Sequence, residues 1–331
     1  MVRRRETIDH VGAHAPAPVD DVQDLVVTPQ APGSGVALGG CHTVEDLVAE
    51  AVTTLERELT VQVTTVSSHV VTTVGGLEAA SAVDAFATYA LVAGIGQAVR
   101  VNLAIAAEML GGGPQFADAL RRDVEQIIGP SNAITNDFRE DQRDPWFTEC
   151  LGHMLLNLSR SVGGLGPPGP VQALTLVHTD VRDHGMDLVG LHLEQALLAL
   201  NVAEAKASES HASNHSGATA RLFAEVDAGT RDKEIRGKVQ VLREALPAER
   251  QALVSPAFWH GQRAYVAVIS YGQASTFAPT QRRPTYAALA VGADRVRLLA
   301  VPLSDYRQFF DTLADRVRAL VPVVAALVGG S

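Results

Sequence analysis

Two carboxylates and one lysine near the middle of the chain have residue types and a spacing suited to phosphate-ester chemistry. Asp187 opens one apolar run, and Glu204 and Lys206 close the next one, LLALNVAEAKA. Carboxylate oxygens are hard ligands that suit Mg²⁺ or Mn²⁺, and a lysine beside them can orient water or hold a phosphate oxygen. These residues predict metal-assisted hydrolysis of a phosphodiester bond, because a bound ion lowers the pKa of its water.

The elements around these residues indicate how they would meet. Asp187–Leu193 and Leu197–Ala205 are rich in Val and Leu and predict two strands. If the strands pair as a hairpin, the end of the second strand returns beside the start of the first. Glu204 and Lys206 are two residues apart and share one face of a strand. The sequence therefore predicts that Asp187 lies opposite them, within reach of one ion.

A plainer interpretation of this pattern is a solvated strand edge, since Glu-x-Lys occurs often by chance. The residues before Glu204 are apolar, however, so this acid ends a buried strand. Burying a carboxylate costs several kcal/mol unless it is paired or bound to a metal. The upstream acid, the strand order and the following helix favour a site over a fortuitous match.

The region after Pro145 predicts a mixed α/β core. Its pattern is a helix, three strands, a polar stretch, a second helix and a fourth strand. The first helix is Trp146–Leu158, and the three strands are Ala173–Val181, Asp187–Leu193 and Leu197–Ala205. The polar stretch is Ser208–Thr219, the second helix is Thr230–Leu246 and the fourth strand is Ala264–Tyr271. A further helix is predicted late in the chain, from Asp305 to Leu320.

The first 140 residues predict less. Residues 1–40 mix Pro, Gly, Asp and His without periodicity and indicate a flexible or irregular arm. Residues 41–140 form a region of helices and strands without an assigned role, in which Thr43 is predicted to cap a helix and Thr60–Val74 to form a strand or hairpin. A polar connection, 129–145, is the expected boundary before a core at 145–325.

Composition excludes several classes of protein. The net charge of −10 argues against a protein that coats nucleic acid non-specifically. The sequence contains no G-x-x-x-x-G-K-[ST] phosphate loop, so ATP hydrolysis by this chain is not expected. The two cysteines have no zinc or disulfide spacing, which favours a reducing cytoplasm. No apolar run follows the basic start, and the longest one, 85–99, is too short to span a bilayer. A cytoplasmic protein without membrane contact is expected.

Three histidines surround Asp187 in the sequence: His178, His184 and His192. Their spacing does not predict a zinc site. They are interpreted as structural histidines, with the exception of His184, whose place in the turn before Asp187 makes it an auxiliary candidate.

Asp187 followed by Glu204-x-Lys206 resembles the PD-(D/E)xK nuclease superfamily, although Met186 stands where the proline of the motif is found. The resemblance implies a restriction-endonuclease-like sheet flanked by helices, with Asp187 and Glu204 as ligands of Mg²⁺. It also implies an auxiliary acid on the first core helix, for which Glu149 is the candidate. The helix after the Glu-x-Lys strand often lends basic or amide groups in this superfamily. Candidates for such phosphate contacts, if they are not simply a solvated helix face, are Lys233, Arg236 and Gln240.

A narrower resemblance is to the nuclease subunit (HamA-like) of Hachiman-type antiphage defence systems. It is carried by the turn His184–Asp187, by the Glu-x-Lys strand and by Leu299–Leu320, and it covers roughly residues 145–320. It implies a DNA endonuclease that works with a helicase-like partner protein in antiviral defence. The alternative is a non-catalytic nucleic-acid-binding or assembly subunit on a nuclease-like fold.

Overall fold

An eight-stranded mixed sheet is the centre of the molecule. The computed structural model describes residues 25–27, 43–95, 114–132, 134–178, 185–255 and 261–329. The strands are β1 (Leu25–Val27), β2 (Thr60–Val66), β3 (His69–Gly75), β4 (Val171–Leu174), β5 (Leu188–Glu194), β6 (Leu197–Ser208), β7 (Ala264–Gly272) and β8 (Val296–Leu303).

Helices cover both faces of this sheet. The longer ones are α1 (Val44–Glu58), α2 (Ala80–Tyr89, continued by a π-helical segment Ala90–Ile95), α3 (Pro114–Ile128), α4 (Asp144–Leu158), α5 (Ala212–Asp227), α6 (Asp232–Glu244) and α7 (Tyr306–Gly329). One core cluster joins the sheet to α1–α4 and α7, and a second joins it to α5 and α6. The fold is therefore an α/β arrangement with a mixed sheet between helical layers.

The order of the strands is β1-β2-β3-β8-β7-β6-β5-β4. The four pairings nearest the ends of the sheet are antiparallel, whereas β3–β8, β8–β7 and β7–β6 are parallel. Every residue of β7 is buried, as expected for a strand with helices on both faces. From α4 to β7 the chain follows the predicted order of helix, three strands, helical segment and strand.

The region before residue 140 belongs to the same sheet. Thr43 caps α1 as predicted, in a reciprocal pair with Asp46, and β2 and β3 form the predicted hairpin. Strand β3 then pairs with β8, and residues of α1, α2 and α3 enter the core cluster that also contains α4 and α7. Much of the expected polar connection is helical, since Asn136–Phe138 and Arg139–Arg143 lead into α4.

Two predictions in the core differ in extent from the structure. Ser208–Thr219 was predicted as a polar stretch, but α5 begins at Ala212, because Ala212 and Ser216 are buried on the same helix as Phe223. The predicted strand Ala173–Val181 is present as β4, which ends at Leu174, and residues 179–184 lie outside the described part of the chain. Most of the predicted N-terminal arm and residues 96–113 also lie outside it.

No helix in the described ranges has the combination of length and hydropathy that a bilayer span requires.

The turn between β5 and β6 is made by two residues that are not glycine. Glu194 pairs with Leu197, and between them Gln195 and Ala196 have φ of 49° and 65°. Two-residue hairpin turns of this kind favour Asn-Gly, because both positions need a positive φ. The double substitution Gln195→Asn and Ala196→Gly is expected to raise the free energy of unfolding by about 0.5–1 kcal/mol. Urea denaturation would measure this gain, and a loss of stability would contradict it.

Candidate metal centre

Asp187 lies where the β5–β6 hairpin brings the two predicted acids together. Leu188 pairs with Ala203, so the residue before β5 stands beside Glu204 in β6. The backbone N–H of Ala205 donates to Asp187 Oδ2 at 2.8 Å, and the N–H of Asp187 points to Glu204 Oε2 at 3.5 Å. The register of the hairpin thus holds both carboxylates at one place.

Lys206 lies between these two carboxylates. Its Nζ is 2.5 Å from Glu204 Oε1 and 3.6 Å from Asp187 Oδ2. Burial alone would lower the pKa of Lys206, but the charges of Asp187 and Glu204 raise it above its ordinary value. Lys206 is therefore a held, charged ammonium group, with 30% of its side chain still exposed.

Glu204 is the more buried of the two acids that contact Lys206. It is only 5% exposed. Burial, followed by repulsion from Asp187, raises the pKa of Glu204 to about 7, and the nearby Lys206 offsets only part of that shift. One ammonium group therefore does not balance the negative charge that the fold places here.

Two further side chains complete the cluster. Glu149, on α4, accepts the backbone N–H of His178 at Oε1 at 2.8 Å, and the same oxygen lies 3.2 Å from His178 Nδ1. One ligand atom from each of Glu149, His178 and Asp187 can be chosen so that all three lie within 4.8 Å of one another. Burial raises the pKa of Glu149, and repulsion from Asp187 adds to the shift against the effect of His178. The acid that the superfamily resemblance implied is thus beside Asp187.

Helix α6 contacts both backbone polar groups of Met186, the residue before Asp187. The N–H of Met186 donates to Glu234 Oε1 at 2.8 Å, and Lys238 Nζ donates to the Met186 carbonyl at 2.6 Å. At Gly185, a Cβ would lie 2.9 Å from Glu234 Oε1, so a side chain at this position would displace the carboxylate that accepts from Met186. Sequence reasoning missed Glu234 and Lys238, and their i, i+4 spacing on one helix face was the available signal.

The other predicted residues of α6 face away from this contact. Lys233, Arg236 and Gln240 are exposed. Arg236 donates to the carbonyl of Asp232, and Gln240 donates to Glu244, both within the same helix. The structure therefore does not bring these three residues to the carboxylates. His184 lies outside the described residues.

Removing the Lys238 contact is expected to destabilise the protein. In Lys238→Met the carbonyl of Met186 loses its donor, which we expect to cost about 1–3 kcal/mol of the free energy of unfolding. Lys233→Met removes the same charge from the exposed face of α6 and should change the stability by at most about 0.5 kcal/mol. Chemical denaturation of both variants measures the difference, and equal stabilities would show that the contact is dispensable.

The cluster as a whole combines three carboxylates, one ammonium group and one imidazole, which are carried by α4, by β6 and by the segments that follow β4 and precede β5. Such a set can hold a cation, position a water molecule and contact an anionic ester. No protein-family model matches the sequence, and no curated protein matches it, so the geometry of the site and the sequence pattern carry the functional interpretation.

Proposed function

We propose that this chain is a metal-dependent DNA endonuclease that hydrolyses phosphodiester bonds. The observation that carries the proposal is the convergence of Asp187, Glu204 and Lys206 on paired strands, with Lys206 within 4 Å of both acids. Acids that share a cation position, with a lysine adjacent, are suited to activating water beside a phosphate group.

The charges of the site fit a divalent cation. Glu149, Asp187 and Glu204 bring three carboxylates together, and Lys206 is the one ammonium group that contacts two of them. Burial, with a further contribution from Asp187, raises the pKa of Glu204 and of Glu149, so the ionised form of each gains from a nearby positive charge. Asp187 and Glu204 would hold Mg²⁺ or Mn²⁺, which supplies an activated water and neutralises the charge that develops on the phosphate.

The residues of the chain have separate roles in this proposal. Asp187 keeps its orientation because the N–H of Ala205 donates to one of its oxygens. Lys206 orients the attacking water or holds a phosphate oxygen, since its ammonium group lies at the partly exposed side of the acid pair. The buried surroundings of Glu204 exclude water, and this exclusion strengthens the electrostatic interactions of the site.

DNA as substrate, a cytoplasmic role in antiphage defence and a helicase-like partner rest on the resemblance to Hachiman-type nucleases. The net charge of −10 favours a role for a partner, because the overall charge of the chain disfavours unassisted binding of nucleic acid. A non-catalytic assembly subunit on the same fold is the rival that the experiment below must exclude.

A cleavage assay on purified protein tests the proposal. Supercoiled, linear and single-stranded DNA and RNA are incubated with Mg²⁺, with Mn²⁺ or with a chelator, alone and with a helicase partner. We expect metal-dependent DNA nicking that Lys206→Met reduces by at least about 100-fold and that Lys233→Met leaves unchanged. DNA binding without cleavage under every condition would favour the assembly subunit.

A further inference from the structure

We infer that His178 supplies a nitrogen ligand to a cation position completed by Glu149 and Asp187, and that this nitrogen makes the position prefer Mn²⁺ to Mg²⁺. The inference rests on the proposed function, because it concerns the cation of the same site. It adds a ligand that neither the sequence pattern nor the superfamily resemblance assigned.

The distances between the three side chains suit one ion. Their ligand atoms lie within 4.8 Å of one another. Metal–ligand bonds of about 2.0–2.2 Å place two donors on opposite sides of an octahedral ion about 4.0–4.4 Å apart. Only one pair of three donors can lie opposite, and adjacent donors lie about 3 Å apart, so side-chain rotations that move the ligand atoms by roughly 1 Å are enough to close the site. Neither a new backbone path nor a large movement of α4 is required.

Side chains of α4 form hydrogen bonds with the main chain at His178. The N–H of His178 donates to Glu149, and its carbonyl accepts from Trp146 Nε1 at 3.0 Å. Trp146 and Glu149 are three residues apart on one helix, so they share a face. Both polar groups of this backbone position are thus anchored to α4. This anchoring fixes the imidazole beside the acid, although no strand pairing holds the segment that carries it.

The burial of Glu149 is a further observation that favours a cation at this place. Glu149 is 7% exposed, and the contacts of its carboxylate come from His178, whose ring carries a charge only when protonated. The hydrogen bond to Glu149 raises the pKa of His178, so the protonated ring is the positive partner of this buried carboxylate, and a metal ion would take the place of that proton. On the other side of the ring, a Cβ at Gly185 would lie 3.7 Å from His178 Nε2. It would also lie 3.6 Å from Lys238 Nζ and 2.9 Å from Glu234 Oε1, so the absent side chain leaves room for these groups.

The donor types set the preference. Mg²⁺ favours oxygen donors and octahedral water, whereas imidazole nitrogen favours transition ions. The Asp187–Glu204 side of the cluster offers only carboxylate oxygens beside Lys206. The Asp187–Glu149 side adds the nitrogen of His178. Asp187 therefore contributes to both sides, and the two sides differ in the ion that suits them.

Metal binding without DNA tests the inference. Mn²⁺ binding at pH 8 is followed by the electron paramagnetic resonance signal of free Mn²⁺, and Mg²⁺ binding by competition. We expect the wild-type chain to bind Mn²⁺ at least about 10-fold more tightly than Mg²⁺. His178→Gln should weaken Mn²⁺ binding by about 10–100-fold and Mg²⁺ binding by less than about threefold. His211→Gln, at an exposed histidine before α5, is the control for adventitious binding.

Spin-echo spectroscopy of the wild-type Mn²⁺ complex gives a second measurement that needs no substitution, because a bound imidazole produces nitrogen hyperfine coupling. Unchanged Mn²⁺ affinity in folded His178→Gln would overturn the inference. A wild-type Mn²⁺ complex without nitrogen coupling, or coupling that persists in His178→Gln, would also overturn it. These results are separate from the nuclease test. A chain that cuts no nucleic acid but shows the His178 effect overturns only the proposed function, and cleavage without the His178 effect overturns only this inference.

Discussion

Asp187→Asn is expected to reduce DNA cleavage by about 10³-fold or more and to leave the fold intact. The amide oxygen of asparagine can still accept the N–H of Ala205, which is the contact that anchors residue 187 in the hairpin. What the substitution removes is the negative charge that faces Lys206 at 3.6 Å and that would bind the divalent ion. Loss of a charged ligand removes stabilisation of the transition state without removing a backbone contact.

The rate of plasmid nicking under single-turnover conditions measures this effect. Asp294→Asn, at an exposed acid beside the short turn before β8, makes the same chemical change away from the cluster and should cut at the wild-type rate. Circular dichroism and urea denaturation establish that both variants are folded. Wild-type cleavage by Asp187→Asn would show that this acid takes no part in the reaction.

Glu204→Gln is expected to abolish cleavage and to make the protein more stable at pH 8. The pKa of Glu204 is raised from 4.5 to about 7 in the folded chain, so the folded state binds more protons than the unfolded state between these values. The contribution of Glu204 to stability is present below pH 4.5 and is lost as the pH rises through 7. Glutamine carries no charge to desolvate, and the expected gain at pH 8 is on the order of 1–3 kcal/mol.

Denaturation curves at pH 4.5, 6 and 8 test the sign of this effect. The stability advantage of Glu204→Gln should be small at pH 4.5 and should grow toward pH 8. Glu249→Gln changes an exposed glutamate in the same way, and its effect on stability should not depend on pH. A variant less stable than wild type at pH 8 would mean that the ion pair with Lys206 outweighs the cost of burying the charge.

The central hairpin was predictable because local chemistry specifies it. The apolar runs before and after Gln195 gave two strands, and their antiparallel pairing set Asp187 opposite Glu204 without any tertiary information. The cap at Thr43 and the β2–β3 hairpin were equally local. These elements could be predicted because each depends on residues close together in the sequence.

The rest of the site depends on packing between distant segments. His178 approaches Glu149 only because α4 lies along the sheet, and Lys238 approaches Met186 only because α6 covers its opposite face. Helix α5 was missed for a different reason. The first half of its buried face has small residues such as Ala212 and Ser216, which give a weak hydrophobic period, and the large apolar Phe223 comes only later in the helix.

The pairing of β3 with β8 has a consequence for the integrity of the molecule. A fragment that began near residue 140 would leave the hydrogen-bonding edge of β8 bare along a strand that is almost wholly buried in the intact chain. Bare apolar edges recruit strands from other molecules and aggregate. A fragment without the first 140 residues is therefore expected to be less soluble than the intact chain. A protein bound to the β2–β3 hairpin is connected to the carboxylates through consecutive hydrogen-bonded strands, namely β3, β8, β7 and β6.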